Sequence, residues 1–300
     1  MENELKLNNI EIKSNTLSKE NLWVVIPVVL LVGLLSVLIY NHHAEFSWDG
    51  FVAGFNQEFL VFFAIGVFAQ LVDGTLGMGY GATSTSFLLA YGVPPVVSST
   101  AVHVSEMFTT GASALSHHRF GNINKKLVKH LLIPGVLGSI TGAYLLSDVI
   151  NGDIIKPFIA VYMIILAIVI IKKALKKSIV KKKTKKLSAL AVFGGFMDSV
   201  GGGGWGPIVT STLLGRGRNP RYTIGSVNAA EFAISFASGI TFMLFGGIIG
   251  WQVIIGLILG GVISAPLAAY LVNKIKRKPM MVAVGILIIL LSLKTLSKLL

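Results

Sequence analysis

The chain states one pattern twice. "DGTLGMGYGATSTSFLL", starting at Asp73, returns as "DSVGGGGWGPIVTSTLL", starting at Asp198. The aspartates coincide, as do Gly77/Gly202, Gly79/Gly204, Gly81/Gly206, Thr85/Thr210 and Ser86/Ser211, and Tyr80 faces Trp205. The match runs without a gap through Gly92/Gly217, Pro95/Pro220, Glu106/Glu231 and Ser113/Ser238. Over that run about one position in three is identical, where chance in so biased a composition gives roughly one in ten. Further on, "GVLGSITGAYL" from Gly135 answers "GVISAPLAAYL" from Gly261. Any fold for this chain must be built from two copies of one unit.

Both copies lie among apolar stretches near or above the spanning length of about 20 residues. With 53% hydrophobic and 13% charged side chains, against roughly 25% charged in soluble domains, the chain reads as an all-α polytopic membrane protein. Its net charge of +13 falls in short loops between apolar runs, as the positive-inside rule requires. That distribution is not a nucleic-acid footprint, and no nucleic-acid partner is expected. The lack of cysteine excludes disulfides, thiolate metal sites and cysteine catalysis.

Each unit reads as a broken segment followed by three full spans. The broken segments are expected near 59–72 with 78–91, and 187–197 with 203–214. The spans are expected at 97–117, 128–146 and 157–171, then at 223–245, 248–272 and 279–296. Halves of about a dozen residues are short for a core of about 30 Å, so each pair is expected to dip in and return as a re-entrant hairpin. An uncleaved anchor helix at 22–40 precedes the repeats; it is too long for a signal-peptide core. The expected organisation is a tail at 1–20, the extra span and an external loop at 21–50, repeat 1 at 51–171, a basic linker at 172–186 and repeat 2 at 187–300.

Three spans per unit is an odd number, so the second copy should lie upside down. The basic clusters agree: Arg119 with Lys125, Lys126 and Lys129; nine lysines from Lys172 to Lys186; Arg216, Arg218 and Arg221; and Lys274 to Lys278. All four then fall on the cytoplasmic face of the cell membrane. The N-terminus is expected inside and the C-terminus outside. The lysine run is mainly a topology signal, with binding to anionic membrane lipid a plausible addition.

Non-helical backbone at membrane depth needs protein or water to cover its amides. Inverted repeats with interrupted helices are a recurring design of secondary transporters, with substrate held at the midplane. Here each second half-helix follows a glycine cluster, so its N–H groups and positive dipole end face the protein centre. Glycine also lets a ligand approach the backbone closely. The candidate substrate-binding residues are Gly77, Met78, Gly79, Tyr80, Gly81, Thr83, Ser84 and Thr85 in the first copy. In the second they are Gly202, Gly203, Gly204, Trp205, Gly206, Thr210 and Ser211. That is a site for a small anion, unless the glycines only let helices pack closely.

The helix after the first break carries Ser99, His103, Glu106, Thr110 and Ser113 on one face, and its counterpart carries Asn228, Glu231, Ser235 and Ser238. Intramembrane ionisable groups are costly and mark pathways by default. His103, Glu106, Asn228 and Glu231 are therefore candidates for coupling or gating; the alternative is that the glutamates anchor the hairpins through their amides. Asp73 and Asp198 stand where they would cap the broken ends. No cofactor or metal is expected, since His117–His118 has no third ligand at useful spacing. A homo-oligomer is compatible with the sequence but not readable from it.

These residues resemble the sulfite exporter TauE/SafE family: a glycine-rich motif early in each repeat, a duplicated broken-helix unit and a similar chain length. The resemblance covers about residues 55–300. It implies a membrane transporter, not an enzyme, for small sulfur-containing or carboxylate anions such as sulfite, thiosulfate, sulfonates or organic acids. "GGGGWG" is richer in glycine than its counterpart, so the two halves of the site need not be equivalent. A passive anion channel is the nearer rival, although paired glutamates favour a carrier. An intramembrane aspartyl protease is the remote one, because it needs two carboxylates sharing a proton and resembles a Gly-x-Gly-Asp pattern absent here.

Overall fold

A computed structural model describes residues 52–299 apart from 77, 120, 177–185, 248–249 and 272–275. The expected anchor helix at 22–40, the tail before it, Gly77 and most of the lysine linker lie outside the described residues. Repeat 1 contains α1 (Gln57–Leu76), α2 (Tyr80–Tyr91), α3 (Pro95–Arg119), α4 (Lys125–Tyr144, continued by a π turn at Leu145–Val149) and α5 (Gly152–Leu175). Repeat 2 contains α6 (Leu187–Gly201), a π turn (Gly206–Thr210) running into α7 (Ser211–Gly215), α8 (Pro220–Gly246), α9 (Trp251–Leu271) and α10 (Arg277–Ser297).

Local chemistry sets these boundaries. α4, α5 and α8 each begin on an asparagine whose side chain takes an early backbone N–H: Asn124 from Leu127, Asn151 from Asp153, Asn219 from Arg221. α8 adds Pro220 in its first turn, where the missing N–H costs nothing. α2 ends at Gly92, whose φ of 115° only glycine adopts readily.

Five described helices are long and apolar enough to cross a membrane: Gln57–Leu76, Lys125–Val149, Gly152–Leu175, Pro220–Gly246 and Lys278–Ser297. α3 has the length, 25 residues, but carries the polar stripe. The leading limb of the first break is therefore longer than expected. It runs 20 residues and passes straight through Asp73, whereas its counterpart α6 has 15. Thr75 shows how: its hydroxyl donates to the carbonyls of Leu71 and Val72, so a polar residue stays inside the helix.

The packing maps onto itself when the two copies are exchanged. α1 lies on α9, and its equivalent α6 lies on α4; α3 packs on α8, and α5 on α10. Glycines allow close approach at these crossings. Gly66 abuts the Leu257 backbone and Gly260 that of Phe63, while Gly138 meets the Val192 carbonyl and Gly195 that of Gly135. α3 and α8 run antiparallel: Gly225, early in α8, sits against His117 near the end of α3, and Gly246, at the end of α8, sits against Val96. Two basic loops meet at one end of this pair, where Asn124 N–H donates to Ser226 Oγ at 2.8 Å. Two apolar clusters flank the middle, one around Val72, Met163 and Phe242, the other around Trp205, Leu131 and Ile234.

Candidate functional site

The two breaks share one wiring. In the first, Gly79 turns the chain with φ 112°, and the Asp73 carboxylate lies near the backbone N–H of Tyr80, where α2 begins. In the second, α6 closes at Gly202 with φ 68°. Asp198 Oδ1 then accepts from the backbone N–H groups of Gly204 at 2.6 Å and Trp205 at 2.8 Å. In both copies the aspartate reaches the aromatic residue seven positions on. An oriented carboxylate at the start of a helix satisfies its free N–H groups and its dipole. The Gly204 and Trp205 amides, expected to be open to a substrate, are thus already held by the protein's own carboxylate.

The breaks touch. A methyl group on Gly81 would lie 2.7 Å from Gly203 Cα, 2.9 Å from the Gly202 oxygen and 3.0 Å from Glu106 Oε1. Thr85 donates its hydroxyl to the Gly202 carbonyl. A methyl group on Gly206 would meet Met78 Cβ at 2.9 Å. Met78, Gly79, Gly81, Thr85 and Gly202 to Gly206 are therefore brought together. The two aromatics anchor the loops to other helices: Tyr80 OH donates to the Leu257 carbonyl of α9 at 3.2 Å, and Trp205 Nε1 to the Val227 carbonyl of α8 at 3.3 Å.

The hydroxyls divide into two groups. Ser84 is spent on the Tyr80 carbonyl at 2.8 Å, and Ser211 on that of Pro207. Thr83 and Thr210 are buried, and their hydroxyls have no hydrogen-bond partner. A buried hydroxyl without a partner is costly and calls for an explanation, so these two are the open donors among the expected binding residues.

Among the candidate coupling residues, the structure joins some and parts others. His103, fully buried, places Nε2 3.4 Å from Asp198 Oδ2, a contact between repeats. Glu106 accepts from Ser235 Oγ of α8 at 3.3 Å. Asn228, the counterpart of His103, does not repeat that link: its side chain donates to Ser113 Oγ at 2.8 Å. Glu231 is half-buried, and its charge is felt at Glu106, as are those of Asp198 and Asp73. Glu106 and Asp198 thus converge with His103 at the breaks, with Asp73 and Glu231 in the same neighbourhood.

Two contributors were not legible in the sequence. Tyr162 of α5 lays its ring against Gly201 and its hydroxyl against Gly204, and that hydroxyl is buried without a partner. Nothing separates it from an ordinary aromatic in an apolar span. Lys173, near the end of α5, donates to the Pro207 carbonyl at 3.2 Å and to Ser211 Oγ. It belongs to the lysine run and reads there as a topology signal.

Residues 62–295 match the family model described as Sulfite exporter TauE/SafE. The chain is 43% identical over 250 residues to a Bacillus subtilis (strain 168) protein named "Probable membrane transporter protein YtnM", covering 80% of this chain and 83% of that one. It is 28% identical over 110 residues to a Sinorhizobium sp protein named "Probable membrane transporter protein ORF9", covering 36% of this chain and 41% of that one. No solved structure matches the chain. The family match spans both breaks and all the spans between them: the chain belongs to the sulfite exporter TauE/SafE family and is a multi-pass membrane transporter rather than an enzyme.

Proposed function

We propose that the protein is a secondary transporter carrying a small organic or inorganic anion, of the sulfite, thiosulfate, sulfonate or carboxylate class, across the cytoplasmic membrane. The anion binds where the two breaks meet. One observation carries this reading: Gly81, in the first turn of α2, and Gly203 bring the two breaks into contact, with the unpartnered hydroxyls of Thr83 and Thr210 on the limbs that follow. Irregular backbone shielded by protein near the midplane is where transporters hold substrate. The two repeats lie inverted in this reading, with the basic loops and N-terminus inside and the C-terminus outside. The antiparallel course of α3 and α8, together with the meeting of two basic loops at one end, supports it.

The centre holds Asp73, Glu106, Asp198 and Glu231, so an incoming anion needs a cation as companion. A proton on Glu106 or Glu231 fills that role in the proposed cycle. The test begins with a thermal-shift screen of purified protein against sulfite, thiosulfate, sulfonates and dicarboxylates, because a ligand of the folded state alone raises its stability. The ligand found is then followed in proteoliposomes. Saturable, exchange-capable flux supports a carrier; large unsaturated currents mean a channel, and no binding by any of these anions overturns the substrate class.

A further inference from the structure

Three side chains at the centre are each held from behind, leaving one atom apiece to converge. His103 Nδ1 lies 2.9 Å from the Ser99 carbonyl, which can only accept. That nitrogen therefore carries a hydrogen, and in the neutral form of the imidazole Nε2 presents a lone pair. Nε2 faces Asp198 Oδ2 at 3.4 Å, and neither atom has a hydrogen-bond partner. Asp198 is fixed through its other oxygen by the Gly204 and Trp205 amides. Glu106 is fixed through Oε2 by Ser235, while Oε1 points toward the Gly81 backbone. Each of the three offers one ligand atom, and these atoms lie within 4.8 Å of one another. The residues are 0%, 2% and 3% exposed for His103, Asp198 and Glu106.

Two lone pairs that face each other in a buried space repel unless a proton or a metal ion stands between them. Metal-binding histidines show this arrangement: the second ring nitrogen donates to a carbonyl and fixes the tautomer, and ligating carboxylates are hydrogen-bonded in turn. Ligand atoms up to 4.8 Å apart must draw in by several tenths of an ångström to hold an ion at bond lengths of roughly 2.0–2.2 Å, a shift within reach of side-chain rotation. A neutral imidazole and two carboxylates balance a charge of two. The nitrogen favours zinc and its first-row neighbours over sodium, magnesium or calcium. The opposite half of the molecule lacks the set, because Asn228 replaces the imidazole and is tied to Ser113.

We infer that His103, Glu106 and Asp198 form a site for one divalent first-row transition-metal ion per chain, joining α3 of repeat 1 to the break of repeat 2. The ion gives a carboxylate-rich centre the positive charge it lacks. Ser99 Oγ and Tyr162 OH, both buried and unpartnered, stand near the ligands, against Gly202 and Gly204. With three protein ligands, positions remain for water or for an oxygen of a bound anion. The inference goes beyond the transport reading, and Glu231 is left free to carry a proton.

The test uses untagged, full-length protein in detergent, stripped with a chelator and titrated with Co2+. Its visible absorption reports coordination, and elemental analysis reports stoichiometry. One Co2+ per chain, with a raised melting temperature, is expected. His103→Gln and Glu106→Gln should each weaken binding by at least about tenfold. Asp198→Asn also removes the loop cap and can unfold the break, so the other two variants decide. Failure of wild-type protein to take up Co2+, or His103→Gln binding as tightly as wild type, overturns the site. Both readouts are independent of transport: a protein that takes up no Co2+ yet still exchanges anions overturns only this inference. One tightly bound Co2+ in a protein that moves no anion supports it and overturns the transport reading instead.

Discussion

Thr85, on the half-helix of the first repeat, gives its hydroxyl hydrogen to the carbonyl of Gly202 in the break of the second. The bond ties the half-helix of one copy to the irregular backbone of the other. Thr85→Val leaves that carbonyl buried without this donor, a loss of about 1–3 kcal/mol, so the melting temperature in detergent should fall. Thr83→Val and Thr210→Val remove buried hydroxyls that bond to nothing, and should hold or raise stability. They should instead weaken anion binding by about 0.5–1.5 kcal/mol each, more if the bond is to full charge. Melting curves with and without anion separate the effects; three variants that melt and bind alike would count against the site.

Gly81→Ala puts a methyl group 2.7 Å from Gly203 Cα and 2.9 Å from the Gly202 oxygen. Backbone on both sides cannot yield as a flexible side chain does, so the breaks must part. Membrane insertion should survive while transport is lost. Gly92→Ala offers the control: open space surrounds that position, and only the strain of its positive φ is added. If Gly81→Ala transports normally, the contact between the breaks is not part of the site.

The orientation of the repeats is open to chemical labelling, because the chain has no cysteine to confuse the signal. Lys125→Cys and Lys276→Cys occupy exposed positions in basic loops and should react with an impermeant thiol reagent only from the cytoplasmic side. Asp153→Cys, exposed at the start of α5, should react from the opposite side. Labelling of all three from one side would end the inverted reading.

Coupling is tested at Glu231. Replacing it by glutamine fixes the neutral form, which cannot pick up or release a proton. In proteoliposomes with a pH dye inside, Glu231→Gln should keep anion exchange and lose the proton movement that accompanies net uptake. Proton movement that persists in step with anion flux would assign the glutamate a structural part.

The breaks, the polar stripes and the duplicated unit were all legible, because each is a local departure from apolar helix. The contacts that cross between copies were not. His103 meets Asp198 rather than Asp73, a choice between two equivalent aspartates that tertiary packing makes. The cap by Asp198 was readable from its spacing; that it takes the Gly204 and Trp205 amides in particular, and so removes those two donors from a substrate, was not. The limit of α1 was misplaced because Asp73 reads as a terminator. Thr75 carries the helix past it by bonding to the carbonyls of its own preceding turn.

The exchange of partners between copies has a consequence for biosynthesis. α1 is clasped by α9 and α6 by α4, so the limb that leads into each break finishes against a helix from the other half. A ribosome that has made only repeat 1 has delivered a limb whose receiving surface does not yet exist. The glycines of α1 that fit Leu257 and its neighbours must wait for most of the chain to emerge, a long-range closure that slows folding and leaves early segments exposed. The half-finished protein is therefore a natural client for insertion machinery or chaperones. Either copy made alone should be an unsettled bundle that regains order when its other half is supplied in trans.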